Sequence, residues 1–235
     1  MIPRWLRFGL FLALLWLFLV SAFYFIPHKP FKLINLLALG KAISALAGGM
    51  AVAAFATGLG LFILRKASVD PPAKLVWSAA LGLGLLSLVA LGLGALGLLK
   101  PVVLWPLTVI GLLAFGPELR HAFREAKFPR PQNRFETFLA FYLASSLTLA
   151  LLHALTPPTA WDSLVYHLTG PKFYLRSGKI YHPLDLPYLG FPQLLEMLFT
   201  WGMALTGERT AAVIHWFYGL LAASIGFGFS NNPYL

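Results

Sequence analysis

The heptapeptide WDSLVYH, residues 161–167, brings a carboxylate, a phenol and an imidazole together in a short stretch of chain. If the segment is an α-helix, Asp162 and Tyr166 share one face, as do Ser163 and His167, because each pair is four residues apart. A carboxylate in such a cluster can act as a general base, accepting the proton of a hydroxyl or amine as that group attacks. The segment therefore makes Asp162 a candidate catalytic base.

A structural role is an equal alternative for the same carboxylate. Thr159 and Asp162 have the spacing of a capping box, in which the acid accepts a hydrogen bond from a backbone N–H at the start of a helix. Spacing alone favours neither interpretation, and both stay open at this point.

The heptapeptide lies in the longest connection of the chain, residues 156–190. This connection contains two aspartates, two histidines, four tyrosines, two lysines and an arginine, and connections of such length usually carry function. We expect a short helix over 160–168, stopped by the Gly-Pro pair at 170–171. A second helix is expected over 172–176, amphipathic, suited to a membrane surface and ending near Gly178.

Composition places this connection in a membrane protein. Of 235 residues, 59% are apolar and 11% are charged, the mean hydropathy is +0.77, and several apolar runs approach the roughly 20 residues that a transmembrane helix needs. We predict an all-α fold, a polytopic transmembrane helical bundle of about seven spans with short amphipathic helices in one extracytoplasmic loop. The predicted spans are 5–26, 42–64, 75–99, 102–116, 135–155, 191–205 and 211–229.

The basic residues predict the orientation of the bundle. Although the net charge is +10, the lysines and arginines are spread over short connections, so we interpret them as topology signals and expect no nucleic-acid partner. With a cytoplasmic N-terminus, 11 of the 18 fall on the cytoplasmic side, and five of these lie in residues 117–134. The prediction is a multi-pass protein of the inner (plasma) membrane with the loop 156–190 outside the cytoplasm.

Two regions with different roles are expected. Residues 1–134 form N-terminal transmembrane helices with a packing role, because the stretches 40–60 and 82–97 are rich in glycine and alanine, which let helix backbones approach closely. Residues 135–235 form the helices that flank the catalytic-type loop. In the second region Glu196 lies in an apolar stretch, where a carboxylate needs a partner or a polar cavity.

The segment WDSLVYHLTGPKFYLRSGKI, the proline-rich run after it and FPQLLEMLF resemble part of the GT-C superfamily of bacterial integral membrane glycosyltransferases. That superfamily includes protein O-mannosyltransferases and lipid A aminoarabinose transferases, and the similarity, over residues 156–218, is to their first extracytoplasmic loop and the helix after it. The resemblance implies transfer of a sugar from a polyprenyl-phosphate donor to a glycan, lipid or protein acceptor. It implies Asp162 as the catalytic base, and as substrate-binding residues Tyr166, His167, Lys172, Arg176 and Glu196.

The sequence departs from the superfamily in two respects. Members often have a second acid beside the first, whereas Ser163 follows Asp162 here, so a divalent metal ion has little support and no other cofactor is predicted. Members also generally have more spans than this chain, so the resemblance implies an N-terminal portion that is inactive alone. The alternative functions are non-enzymatic: a transporter fragment that uses Glu196 and Asp162, or an assembly partner in the cell envelope.

Overall fold

The computed structural model describes residues 4–28, 32–126, 130–182, 187–190 and 193–230, and all regular structure in them is helical. This confirms the all-α prediction. Residues 183–186 of the predicted loop and 191–192 of the predicted sixth span lie outside the described residues. The α-helices are α1 (Arg4–His28), α2 (Leu33–Ile63), α3 (Pro71–Ala95), α4 (Pro101–Glu125), α5 (Arg134–Ala154), α6 (Thr169–Ser177), α7 (Leu194–Thr206) and α8 (Glu208–Ser230).

The chain divides into two compact units, residues 1–41 and residues 42–235. In the first unit, the described apolar side chains of α1 are largely exposed, with Trp16 and Phe18 more than half accessible. A helix that exposes such side chains all round is suited to lipid rather than to water.

Four described stretches are long and apolar enough to cross a membrane, and they support a membrane protein. They are Leu33–Lys66, Pro71–Ala95, Pro101–Glu125 and Arg134–Ala154. The third is longer than the predicted span 102–116, because α4 continues through Pro117 to Glu125. A proline inside a helix removes one backbone hydrogen bond, and a transmembrane helix tolerates this loss when neighbouring groups compensate for it.

Glycines set the distance between α2 and α3 in the second unit. A Cβ at Gly60 would overlap the carbonyl oxygen of Ser78, and a Cβ at Gly82 would overlap that of Ala56. The two backbones therefore touch directly, as the glycine-rich composition of both stretches predicts.

The connection after α5 is attached to the turn between α3 and α4. The N–H of Leu99 donates to the carbonyl of Gly178 at 2.8 Å, and the N–H of Ile180 donates to the carbonyl of Gly94 at 3.2 Å. We call this end of the bundle, formed by the α3–α4 turn and the described residues of the connection after α5 (155–182, 187–190 and 193), the loop face.

Helix α7 does not reach the opposite end of the bundle. It has 13 residues and is therefore about 20 Å long, too short for a hydrocarbon core of about 30 Å. Both of its ends contact the loop face: Glu196 in its first turn bonds to His167, and Glu208, just after its last turn, bonds to Lys172 of α6. Of the predicted span 191–205, the structure therefore shows a buried helix that is shorter than a hydrocarbon core and whose two ends both contact the loop face.

Helix α8 consequently starts at the loop face. Its residue Ala212 lines a cavity together with Thr156, at the end of α5, and the indole N–H of Trp216 donates to the carbonyl of Leu147 in α5 at 2.8 Å. This placement moves Arg209 from the predicted cytoplasmic side to the loop face.

We expect Gly82→Ala to destabilise the protein by about 1–3 kcal/mol, because the new methyl group must separate α2 from α3. Gly84→Ala, two residues along the same helix, is the matched control. Its Cβ would meet nothing within 4 Å, and the gain in helix propensity is about 1 kcal/mol. Thermal unfolding of both variants in detergent measures the difference, and equal melting temperatures would contradict direct backbone contact.

Single cysteines test the course of α7, since the chain has none of its own. Lys179→Cys and Arg209→Cys should react with a membrane-impermeant maleimide from the same side of sealed vesicles. Gln132→Cys, exposed just before α5 at the other end of the bundle, should react only from the opposite side. If Arg209→Cys reacted from the same side of the vesicles as Gln132→Cys, α7 would have to cross the membrane.

Candidate functional site

The heptapeptide is wound more loosely than an α-helix. Ser163–His167 forms a π-helical turn, in which the N–H of Leu168 donates to the carbonyl of Ser163, five residues back, at 3.0 Å. The hydroxyl of Thr169 adds a bond to the carbonyl of Leu164 at 2.5 Å. The short helix expected over 160–168 is thus wound as a π turn over 163–167, and single π turns of this kind occur frequently at functional sites.

The Gly-Pro pair at 170–171 begins the next helix instead of stopping the first. Both residues lie in the first turn of α6, where the missing N–H of Pro171 has no intrahelical acceptor to lose. A Cβ at Gly170 would lie 2.9 Å from the Leu189 side chain, so glycine allows this segment to pack closely. Helix α6 ends at Gly178, which adopts φ +77° as the sequence predicts for a helix terminus.

A buried carboxylate and an imidazole form the base of the site. The Nδ1 of His167 lies 2.6 Å from Oε1 of Glu196, whose side chain is 6% exposed. An ionised carboxylate can only accept, so Nδ1 is the donor of this bond when Glu196 is charged. The sequence predicted both residues and the need of Glu196 for a partner, but not that His167 is the partner.

Aromatic rings surround this pair. The ring of Tyr166 lies 4.1 Å from that of His167 and stacks on Tyr188 at 5.7 Å, and Trp161 meets Tyr188 edge to face at 6.1 Å. The indole of Trp161 is 62% exposed, so the group formed by Trp161, Tyr166 and Tyr188, which we call the ring cluster, is open to a ligand.

Two phenols of the site are held in their protonated form. Desolvation raises the pKa of Tyr166, and the negative charges of Asp162 and Glu196 raise it further, with a smaller effect from Tyr188. Burial and then the charge of Glu196 raise the pKa of Tyr174 in α6. The negative charges of Asp162 and Glu196 therefore both act on the pKa of the same phenol, although 34 residues separate them in the sequence.

Asp162 itself is exposed at the start of the π turn. Within the described part of the chain its carboxylate makes no hydrogen bond, and the capping box with Thr159 is not formed. The structure therefore does not contain the capping interaction, and the general-base role of Asp162 stays a prediction.

The basic residues of α6 differ in their surroundings. The ammonium of Lys172 lies 2.8 Å from Oε1 of Glu208, so part of its charge is neutralised. Arg176 is exposed near the end of α6, and among the described residues its guanidinium forms no ion pair. The structure therefore leaves Arg176 more available to an anion than Lys172.

The sequence near three residues of the site does not predict that they take part in it. Tyr188 joins the ring cluster from 22 residues beyond Tyr166, and Glu208 pairs with a lysine 36 residues before it. Trp161 was noted only as part of the heptapeptide. Among the described residues, no group of three or more histidine, aspartate or glutamate side chains is placed to hold a metal ion.

Loss of the imidazole should destabilise the site. His167→Phe leaves the Glu196 carboxylate buried without its donor, and we expect the free energy of unfolding to fall by about 1–3 kcal/mol. Adding Glu196→Gln to this variant removes the charge and should restore part of the loss. His182→Phe, which changes an exposed histidine of the same connection, serves as the control. Chemical denaturation in detergent measures all three, and equal losses in the two single variants would contradict a stabilising pair.

No family model matches the chain, and no curated protein or solved structure matches it either. The case for a function therefore rests on the chemistry of the site: an unpaired carboxylate, an open ring cluster and a buried carboxylate–imidazole pair, all at one end of a membrane helix bundle.

Proposed function

We propose that the chain is a glycosyltransferase-like membrane protein that transfers a sugar from a polyprenyl-phosphate donor to an extracytoplasmic acceptor. The observation that supports this most is the exposed, unpaired carboxylate of Asp162 beside the ring cluster. The resemblance of residues 156–218 to GT-C enzymes is consistent with the same assignment.

The reaction requires one base and one leaving group. The acceptor hydroxyl attacks C1 of the donor sugar and gives its proton to the carboxylate of Asp162. The bond between C1 and the phosphate oxygen breaks, and the polyprenyl phosphate leaves with the electron pair. Removing the proton as the new C–O bond forms is the step that a positioned carboxylate accelerates, by roughly 10²–10⁴-fold.

The ring cluster suits a carbohydrate. The C–H groups on one face of a sugar ring form an apolar surface that packs against an aromatic ring, while its hydroxyls remain free for hydrogen bonds. The exposed indole of Trp161 offers such a surface beside Asp162. The protonated hydroxyl of Tyr166 can donate to a sugar oxygen at the same place.

Arg176 is the better candidate for the donor phosphate. It is exposed near the end of α6, whereas Lys172 is paired with Glu208. A guanidinium binds phosphate oxygens through two parallel hydrogen bonds and would neutralise the charge that develops on the leaving group.

The orientation that this function needs agrees with the charge distribution. With Arg209 at the loop face and α7 not crossing, a cytoplasmic N-terminus leaves 10 of the 18 basic residues in the cytoplasm, one fewer than the 11 predicted, and 8 outside. The five basic residues within 117–134 remain on the cytoplasmic side. We propose six crossings on this basis, in the inner (plasma) membrane, with the loop face outside the cytoplasm.

Replacement of the proposed base tests the function directly. In membranes from cells that express the complete open reading frame, supplied with radiolabelled polyprenyl-phosphate sugar, Asp162→Asn should lower the rate of transfer by roughly 10²–10⁴-fold, because the amide cannot accept the proton. Asp70→Asn, an exposed aspartate outside the site at the start of α3, is the matched control and should retain full transfer. An Asp162→Asn variant as active as the control would exclude this carboxylate as the base.

Transport is the second candidate function, and one observation favours it. Helix α7 enters and leaves by one face and carries the buried carboxylate of Glu196, and interrupted or short helices with buried acids occur in transporter sites. The transfer assay separates the two functions, since a transporter would move no label from donor to acceptor whichever residue stands at position 162.

A further inference from the structure

A cavity of about 340 Å³ lies between the end of α5, the start of α8 and the segment 156–160 that follows α5. Its volume is within the range of small-ligand sites. It is separate from the ring cluster, although Ser163 of the π turn contributes to its wall. The side chains that give it chemical character are His153, His215, Trp216, Thr159 and Ser163.

The polar side chains of this cavity are hydrogen-bond donors or groups that can become cationic. His153 comes from α5 and His215 from α8, and in the described part of the chain neither imidazole makes a hydrogen bond. The hydroxyls of Thr159 and Ser163 add two further donors. No carboxylate is among the described residues that line the cavity, so nothing in the wall repels an anion.

The remaining wall is apolar and lies where α5 meets the loop face. Ala150, Ala154 and Ala212 contribute only methyl groups, which leave room between the two helices. The indole of Trp216 is held in place by its bond to the carbonyl of Leu147. Since α5 has no buried residue in its most apolar window, its outer surface faces the membrane. The cavity lies at the C-terminal end of this candidate span, where a membrane-spanning helix would meet the lipid headgroups.

We propose that this cavity binds the phosphate group of a membrane lipid, with the imidazoles of His153 and His215 and the hydroxyls of Thr159 and Ser163 as donors. The apolar wall formed by Trp216 and the alanines receives the first carbons of the lipid tail. Phosphate oxygens accept several hydrogen bonds at once, which matches donors that converge from two helices and a turn. The site does not depend on Asp162, so it stands whether or not the chain transfers sugar.

The test uses a soluble lipid with a terminal phosphate. Delipidated full-length chain in detergent is titrated with dihexanoyl phosphatidic acid, and binding is followed by native mass spectrometry and calorimetry. The double variant His153→Ala/His215→Ala should bind this lipid roughly tenfold more weakly, a loss of about 1.4 kcal/mol. His121→Ala, which changes an exposed histidine of α4 outside the cavity, is the matched control and should bind as the unmodified chain does.

Two further ligands separate the contributions of phosphate and tail. Inorganic phosphate should bind far more weakly than the lipid, and dihexanoylglycerol, with the same tails and no phosphate, should also bind weakly. Equal binding of either ligand and the phosphatidic acid would overturn the proposal, as would a double variant that binds normally. If the double variant does not fold, Ser163→Ala and His215→Gln give the same test with smaller changes: weaker binding supports the site, and unchanged binding in both overturns it.

Discussion

The hydrogen bond between Nδ1 of His167 and the carboxylate of Glu196 joins the connecting segment to the helix beneath it. A carboxylate that is 94% buried costs several kcal/mol unless a donor compensates for the lost water. The pair therefore fastens His167, the last residue of the π turn, to α7. Because Tyr166 precedes His167, the same bond determines the position of the ring that stacks on Tyr188.

The bond can position His167 only because packing holds α7 itself in place. Ten consecutive residues of α7, from Glu196 to Leu205, are buried, and the indole N–H of Trp201 donates to the hydroxyl of Thr108 in α4 at 2.8 Å. Gly48 of α2 allows Thr206 to approach, and Gly202 allows Ile214 of α8 to approach. The glycine contacts that bring α2 against α3 thus belong to one set of close approaches that also encloses α7.

Since α7 begins and ends at the loop face, acidic groups from both of its ends lie on one side. Glu196 pairs with the imidazole of His167, and Glu208 neutralises part of the charge of Lys172. The π turn then separates two chemical surroundings: Asp162 lies with the ring cluster, and its neighbour Ser163 lines the cavity with the two histidines. The exposed carboxylate of Asp162 and the cavity lined by Ser163 are therefore adjacent, although Asp162 does not line the cavity.

The sequence alone was sufficient for the all-helical fold, the apolar helices compatible with a membrane protein, the close packing at Gly60 and Gly82 and the end of α6 at Gly178. Each of these depends on composition or on contacts within a few residues, which local patterns record. Tertiary structure decided the partner of Glu196, the π winding of 163–167, the contribution of Tyr188 and the course of α7. His167 and Glu196 are 29 residues apart in the sequence, and no pattern of neighbouring residues predicts that they meet in space. Helix α7 is apolar because protein surrounds it, and hydropathy has the same value whether an apolar helix is buried in protein or in lipid, so only the packed structure distinguishes a buried helix from a crossing one.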